Sequence, residues 1–412
     1  MGDNKAKLET DDFVFDKRLY VIFLIIFTEV LGFSMVLPLI PFLGLSLGLT
    51  PVEIGLIISV FSICQLFASP ITGKLSDRFG RKPLFLISQL STFAGFLLLG
   101  FATTAILLLL ARLIDGLLGS NMTVSQAYIS DITEPQHRTR VYGYSSGVFG
   151  AGLIFGPVIG GVLSTINYSV PMFFAAGITI ISIILVLFLP ETITSKPETF
   201  SLKFNDILPI KDTIRFAKTP HVRNTLLMFF IYNVGFHLFI ANFSLLAETQ
   251  FHVDADQVGF YMAWIGILRV FIQTVLIARI LRAMGEDSML KTGIVAMVIS
   301  MLGIAFSLDY LFVFVPLIFL AYGTGVSRPI LTSKLANSVT KKETATVLGV
   351  NNSLVSVAQI LTPIVGGFII QYLPSQTLPI LSALFLASMF FFLINDAKRN
   401  ENAPIPAVDF DN

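Results

Sequence analysis

Five charged side chains stand in stretches of this sequence that are otherwise almost wholly apolar: Glu29, Arg112, Asp115, Arg269 and Arg328. A charge withdrawn from water is costly unless paired or hydrated, so such placements point to a task. Removal from water disfavours the charged form of a carboxylate, which makes Glu29 a candidate proton carrier or cation partner. Arginine offers a planar fork of donors suited to a carboxylate or phosphate, so Arg269 and Arg328 could hold an anionic or zwitterionic compound. Asn233, His237, Asn242 and Gln359 add candidate cavity polarity. Each residue also has a structural alternative. Glu29 could pair with the arginine of a nearby loop, and Arg112 with Asp115 one turn along a helix. Arg269 could pair with Glu29 or another acid, Arg328 could snorkel to the interface, and His237 could be a hydrogen-bonded helix contact.

The elements that position these residues follow from composition. Of 412 residues, 54% are hydrophobic and 13% charged, about half the charged fraction of a soluble domain, too little to face water all round. Apolar runs such as Leu19 to Ile26, Leu97 to Ala111 and Ile178 to Leu189 recur throughout. Cutting at polar loops predicts spans at 19–43, 52–73, 84–102, 104–128, 140–164 and 170–190, then at 222–247, 256–281, 289–307, 311–334, 345–370 and 376–395. The first follows a polar stretch, Met1 to Arg18, and is long enough to be a retained span instead of a signal peptide. Cys64, the single cysteine, offers neither a disulfide nor a metal cluster and reads as a small apolar residue in a helix. No nucleophile with its base, metal cluster or phosphate-binding glycine loop points to an enzyme or a cofactor. The net charge of +1 implies no nucleic acid.

Basic residues test the count, because they are retained on the cytoplasmic side. Of the 27 lysines and arginines, all but the intramembrane Arg112, Arg269 and Arg328 fall in the termini and even-numbered loops or, as Arg140, Arg223, Arg279, Lys291 and Lys334 do, on the span ends that border those loops. Both termini are therefore expected in the cytoplasm of a cell (inner) membrane. The expected divisions are a tail at 1–18, a six-helix bundle at 19–190, a cytoplasmic linker at 191–221, a second bundle at 222–395 and a tail at 396–412. The linker carries Pro197, Pro209 and Pro220, and either is bland or holds a surface helix suggested by Phe204, Ile207, Ile210, Ile214 and Phe216.

The halves repeat. A shift of 206 residues places Gly119 on Gly325, Val141 on Val347, Gly143 on Gly349 and the run Gly156 to Gly161 on Thr362 to Gly367. Near the start of each half, Gly32 and Phe33 match Gly235 and Phe236, and Gly55 matches Gly259. An all-α membrane protein of twelve transmembrane helices in two pseudo-symmetric six-helix bundles is expected.

The loop Gly73-Lys74-Leu75-Ser76-Asp77-Arg78-Phe79-Gly80-Arg81-Lys82-Pro83-Leu84 resembles the loop signature of the major facilitator superfamily almost position for position. Physically, two helices must reverse within a few residues there, so Gly73 permits close approach and Gly80 a tight turn. The resemblance implies that Asp77 faces the start of the eleventh helix and that Arg81 pairs with Asp131, as a gating network with Arg78; Lys74 and Lys82 read as ordinary positive-inside charge. Arg112 with Gly116 and Gly119 resembles the family pattern of the fourth helix, implying proton transfer or organisation of the cavity. In the fifth span Gly152, Gly156, Pro157, Gly160 and Gly161 resemble the signature of antiporters in that superfamily. The small residues line one face where a neighbouring backbone can approach, and Pro157 should bend the helix. Thr28 to Pro41, with Glu29 where an aspartate is common, resembles the first helix of tetracycline-efflux and related drug:proton antiporters. Gly95 departs from the tetracycline exporters, which carry an acid in the third helix, and Ala278 to Gly285 is a degraded copy of the loop lacking its aspartate.

The resemblance covers the whole chain. It implies a monomeric secondary transporter, working by alternating access in the lipid bilayer, that exchanges protons for a small amphipathic substrate. A carrier of an anionic or zwitterionic metabolite, and a receptor or sensor on the same scaffold that transports nothing, are the rivals.

Overall fold

The computed structural model describes residues 15–193, 207–340 and 343–402. Pro197 and Phe204 of the argument above, and six of the 27 basic residues (Lys5, Lys7, Lys196, Lys203, Lys341 and Lys342), lie outside these residues. Every regular element among the described residues is helical.

The first six spans are Lys17–Val36 continued through a 3-10 turn by Ile40–Ser46, then Pro51–Phe79, Arg81–Gly100, Ala105–Leu118 with Asn121–Ile132, Arg138–Ser164 and Ser169–Phe188. The seventh is Pro220–Ile240 with Phe243–Phe251, bent by 45°. The eighth, Ala255–Phe271, passes through a π-helical turn at Ile272–Leu276 into the long helix Ile277–Ala305, which turns at Gly285 (φ 74°, ψ 169°). The segment after Gly285 is the ninth span. Phe314–Asn337, Thr344–Tyr372 and Thr377–Asn402 complete twelve. The last helix runs past the expected boundary at 395. Hydropathy marks only where the apolar stretch ends, whereas Ala397, Lys398, Arg399 and Glu401 are good helix formers in water.

Matching start signals open corresponding spans in the two halves. Thr50 and Glu53 form a capping box at the second span, with Pro51 in its first turn, and Asp254 and Gln257 form one at the eighth. In the linker, Ile210–Lys218 is a short amphipathic helix that buries Phe216 and exposes Ile210 and Ile214. Its Arg215 lies 3.5 Å from Glu343, beside the start of the eleventh span.

Packing repeats as well. The first span lies against the fifth and sixth, the second against the fourth, and the third against the fourth and sixth. In the same way the seventh lies against the eleventh and twelfth, the eighth against the tenth, and the ninth against the tenth and twelfth. Between bundles, the second span meets the eleventh and the fifth meets the eighth.

These cross-bundle contacts are backbone approaches at equivalent glycines. A Cβ on Gly55 would sit 2.3 Å from the Pro363 carbonyl oxygen, and one on Gly259 would sit 2.4 Å from that of Pro157. One on Gly367 would sit 2.3 Å from the Pro51 carbonyl oxygen, and one on Gly161 would sit 2.9 Å from the Asp256 Cα. The Ser59 hydroxyl donates to the Ile360 carbonyl at 2.7 Å. All these residues lie in the half of the spans remote from the termini. Toward the termini, Gly143 and Gly349, another equivalent pair, have no neighbour within 4 Å of a Cβ position. The bundles therefore touch at one end and part at the other.

Gly55→Val or Gly259→Val should push the touching ends apart. In a Cys64→Ala background, a cysteine replacing the buried Ser59 should then react several-fold faster with an impermeant maleimide. Unaltered labelling would show that these glycines do not form the seal.

Candidate functional site

The fourth span breaks at Gly119 and Ser120, leaving the Gly119 carbonyl outside a regular helix, where Gln65 of the second span donates to it at 2.7 Å. Satisfying such backbone groups inside the protein is what makes a broken helix tolerable in a membrane. Asp115 on one side of the break and Asn121 on the other meet the third span, and Arg112 lies over Phe61 of the second.

A chain of polar side chains results. Gln89 Nε2 donates to Glu29 at 3.2 Å, with Asn121 beside the same carboxylate. Asn121 donates to Thr92 at 3.0 Å, and the Thr92 hydroxyl donates to Asp115 at 2.9 Å. Asp115 Oδ2 lies 3.6 Å from Arg112 Nη2, whose guanidinium stands 5.4 Å from the Phe61 ring centre. Arg112, Asp115, Gln89, Thr92 and Asn121 are all buried, and Glu29 is partly exposed. Nε and Nη2 of Arg112, Oε1 of Gln89 and Oδ1 of Asn121 have no hydrogen-bond partner among the described residues. Such groups cost about 1–3 kcal/mol each when buried unsatisfied. Cys64 packs close to Gly116 as a small apolar residue.

Gly152, Gly156 and Gly160 face the first span. A Cβ on them would strike Val30, the Ser34 hydroxyl and Met35 respectively, and Ser34 donates to the Gly152 carbonyl at 2.9 Å. Glu29 is thus held next to a backbone-to-backbone contact. Gly161 turns instead to the eighth span, and Pro157 to Gly259.

In the second bundle, Arg269 and Arg328 lie within electrostatic range of each other and of the buried Tyr232, and Arg328 also of His237. Neither arginine has an ion pair among the described residues, so the expected pairing of Arg269 with Glu29 does not occur; Glu29 is engaged within its own bundle. Arg269 passes beside Gly325, whose carbonyl accepts from Gln273 at 3.2 Å. His237 meets Phe236 edge-on with ring centres 5.3 Å apart, and makes no side-chain hydrogen bond among the described residues. Asn233 donates within its own helix to Phe229 at 2.7 Å, and Gln359 is partly exposed, with no side-chain hydrogen bond among the described residues. Asn242 is a tie between helices, not a cavity group. It is buried and donates to the carbonyls of Leu238 at 2.9 Å and Thr362 at 3.0 Å, because the bend in the seventh span frees the first of these.

At the termini side, Arg81 Nε donates to Asp131 at 2.8 Å and Arg81 Nη1 lies 2.6 Å from Asp77 and from the Ser76 hydroxyl. Arg78 lies over Phe79, 5.6 Å from the ring centre. All of these contacts stay within one bundle, and no hydrogen bond or ion pair joins Asp77 to the first turn of the eleventh span among the described residues. Gly80 has φ 109° and ψ 154°, a conformation open essentially to glycine. Glu191 fills the space beside it, accepting from the backbone N–H of Arg81 at 2.8 Å, Lys82 at 3.1 Å, Thr192 at 2.9 Å and Ile193 at 3.1 Å. Lys82 donates to the Leu187 carbonyl at 2.6 Å, a specific cap in place of bare positive-inside charge. In the second half Gly285 repeats the turn, and Asp287 pairs with Lys334. The loop that lost its aspartate has kept the bridge with reversed sign.

Two six-helix bundles enclosing buried charge define a membrane transporter fold. The chain belongs to the Major Facilitator Superfamily, which matches residues 22–357 and 225–410. It is similar to the tetracycline resistance protein, class H, of Pasteurella multocida, with 29% identity over 366 residues, 87% of this chain and 90% of that protein. Multidrug resistance protein 1 of Bacillus subtilis is 26% identical over 370 residues, 88% and 94% of the two chains. Among solved structures, the human organic anion transporter MFSD10 (TETRAN) superposes with a TM-score of 0.67 at 23% identity over 91% of this chain and 98% of that one. The nucleoside transporter NupG superposes with a TM-score of 0.73 at 15% identity over 93% and 100%. The last two show the fold alone.

Sequence reasoning missed Gln89, Thr92, Asn121, Tyr232 and Glu191. Gln89 and Asn121 carried a signal, as lone amides in apolar spans; Glu191 resembled any loop acid. Burial opposes its charge, but the four backbone donors outweigh this and hold its carboxyl below the usual range. Its contribution to stability is therefore present above about pH 4, the unfolded value, and is lost as the pH falls through the lower folded one. Glu191→Gln should melt earlier than wild type at pH 7, with the difference shrinking in acid; an equal Tm at pH 7 would dismiss the clamp. Gly80→Ala should cost about 1–3 kcal/mol through backbone strain and the collision with Glu191, read as a lowered Tm.

Proposed function

We propose that this protein is a proton-coupled antiporter that exports small amphipathic compounds by alternating access. The observation that carries this is the polar chain from Glu29 to Arg112, built inside one bundle from groups that no packing requirement explains. Glu29 takes and releases the proton. Gln89 and Asn121 hold its carboxyl in place, and Arg112 reports the change of charge through Asp115 and Thr92 to the broken fourth span. The relatives named for tetracycline and multidrug resistance support a drug-like cargo. Tetracycline itself is not proposed, since Gly95 lacks the third-helix acid of those exporters.

The bundles at 19–190 and 222–395 move as bodies, joined by the linker at 191–221 and pivoting over the close glycine contacts. With those contacts made, the cavity opens toward the termini, which we place in the cytoplasm of the cell membrane on the distribution of basic residues. The cluster of Asp77, Arg81 and Asp131, with Arg78 and Gly73 on the last turns of the second span, is the cytoplasmic gate. When that side closes, Asp77 meets the start of the eleventh span, where an anion gains about 0.3–1 kcal/mol from the helix dipole. The protein acts as a monomer.

Proteoliposomes loaded with a pH-sensitive dye test this. Addition of rhodamine 6G or carboxyfluorescein against an imposed proton gradient should release protons with wild-type protein. Glu29→Gln should abolish the proton signal while leaving gradient-independent exchange of the dyes. Proton movement unchanged in that variant would remove Glu29 from the mechanism, and dye binding without any flux would favour a sensor.

A further inference from the structure

The buried charges of the two bundles are balanced differently. In the first, Arg112 faces Asp115, and Glu29 stands close by among amides. In the second, the sequence contains no carboxylate from Thr213 to Ala247, Gln257 to Gly285, Met289 to Leu308, Tyr310 to Lys342 or Thr344 to Asn395. The second-half spans therefore carry acids only near their ends, yet two of them carry arginines in their interior. Asp287, the acid nearest in sequence to the ninth span, is taken by Lys334 at the termini side. Arg269 and Arg328 consequently oppose each other with no ion pair to either among the described residues.

Tyr232 lies within electrostatic range of both arginines, and Gly325 stands beside Arg269. Tyr232 and Phe236 are stacked one turn apart, with ring centres 6.2 Å apart and planes at 11°. Trp264 precedes Arg269 on the same helix, its indole N–H donating to the Phe314 carbonyl at 3.1 Å. Gly325 leaves room for the Arg269 stem, and the π-helical turn that begins at Ile272 directly follows. Turns of this kind cluster at functional sites, because they re-aim side chains without breaking the backbone ladder. Arg328 is exposed and Arg269 partly so, leaving their forks accessible.

We propose that Arg269 and Arg328 bind the carboxylate of an amphipathic aromatic substrate whose ring lies against the partly exposed Phe236 and Trp264, with the buried Tyr232 stacked behind Phe236. This deepens the exporter reading by assigning cargo to the second bundle and proton to the first, and so rests on it for its purpose. Binding itself can be tested without transport. An arginine fork pairs with a carboxylate through two parallel hydrogen bonds, and a neutral amide forfeits the charge-assisted part of that pairing.

Trp264, the single tryptophan, reports occupancy. Purified full-length protein is titrated with 6-bromo-2-naphthoate, its carboxamide and the matching aminomethyl cation, following heavy-atom quenching. The carboxylate should bind about ten- to a hundredfold more tightly than the amide, and the cation most weakly. Arg328→Gln should remove that preference without lowering Tm, and Arg269→Lys, which keeps the charge but loses the fork, should reduce it. Equal binding of acid and amide by wild type would overturn the proposal, as would a preference that survives Arg328→Gln. Repeating the titration in phosphatidylglycerol nanodiscs separates the two sources of anion. Carboxylate binding abolished there, and restored in zwitterionic lipid, would assign the arginines to a lipid headgroup and overturn the substrate site. A naphthoate preference lost while dyes still drive proton release would leave the antiporter standing; naphthoate bound with no proton release would do the reverse.

Discussion

Hydrocarbon offers no hydrogen bonds, so every polar group in these spans must find its partner inside the protein. That constraint accounts for the placement of each irregularity. The fourth span can break at Gly119 because Gln65 receives the freed carbonyl, and the seventh can bend because Asn242 takes up the carbonyl of Leu238. The Ser34 hydroxyl answers a fifth-span carbonyl, and Thr28 and Ser182 bond across the first and sixth spans. Breaks and polar residues occur together because neither is tolerable alone, and where they meet, side chains are turned inward.

The second consequence is the glycine pattern. Without a hydrophobic drive between helices in lipid, association depends on contact, and contact is closest where side chains are smallest. The stripe in the fifth span does two jobs on two faces. Gly152, Gly156 and Gly160 lock it to the first span, whereas Gly161 and the Pro157 carbonyl meet the eighth. The eleventh span repeats this division, with Gly366 against Asn242 of the seventh and Gly367 against Pro51 of the second. One face is packed within its own bundle and the other against the opposite bundle. Duplication has therefore preserved a working contact geometry, though Thr362 stands where Gly156 does.

How much of this could be read from sequence depends on the range of the interaction. The spans and their number were legible because about twenty apolar residues and sided basic charge are local signals. The glycine stripe was legible because helical spacing puts its members on one face. Arg81 with Asp131 was accessible only through resemblance, since the two lie in different helices. The chain through Gln89, Thr92 and Asn121 was not legible. Gln89 and Asn121 stand out as lone amides in apolar spans, but only the packing of the third span against the broken fourth brings them into line with Thr92. The Asp287 to Lys334 bridge was hidden for another reason: a motif search looks for residue types, whereas the physics needs only opposite signs.

Gly95 shows the same principle at the centre of the site. Read as a substitution, it deletes the third-helix acid expected from the resemblance to tetracycline exporters. In the folded chain a Cβ at Gly95 would lie 2.9 Å from the Cβ of Asp115, so the fourth span brings a carboxylate against the very position the third has vacated. An acid on both helices would crowd two like charges and two side chains into one space. The glycine is thus the complement of Asp115 and not a simple loss. Asp115 in turn faces Arg112 across one helical turn, so its charge is balanced from its own helix. Of the two acids inside these spans, Glu29 is the one without an ion pair among the described residues, and it is the one that is partly exposed.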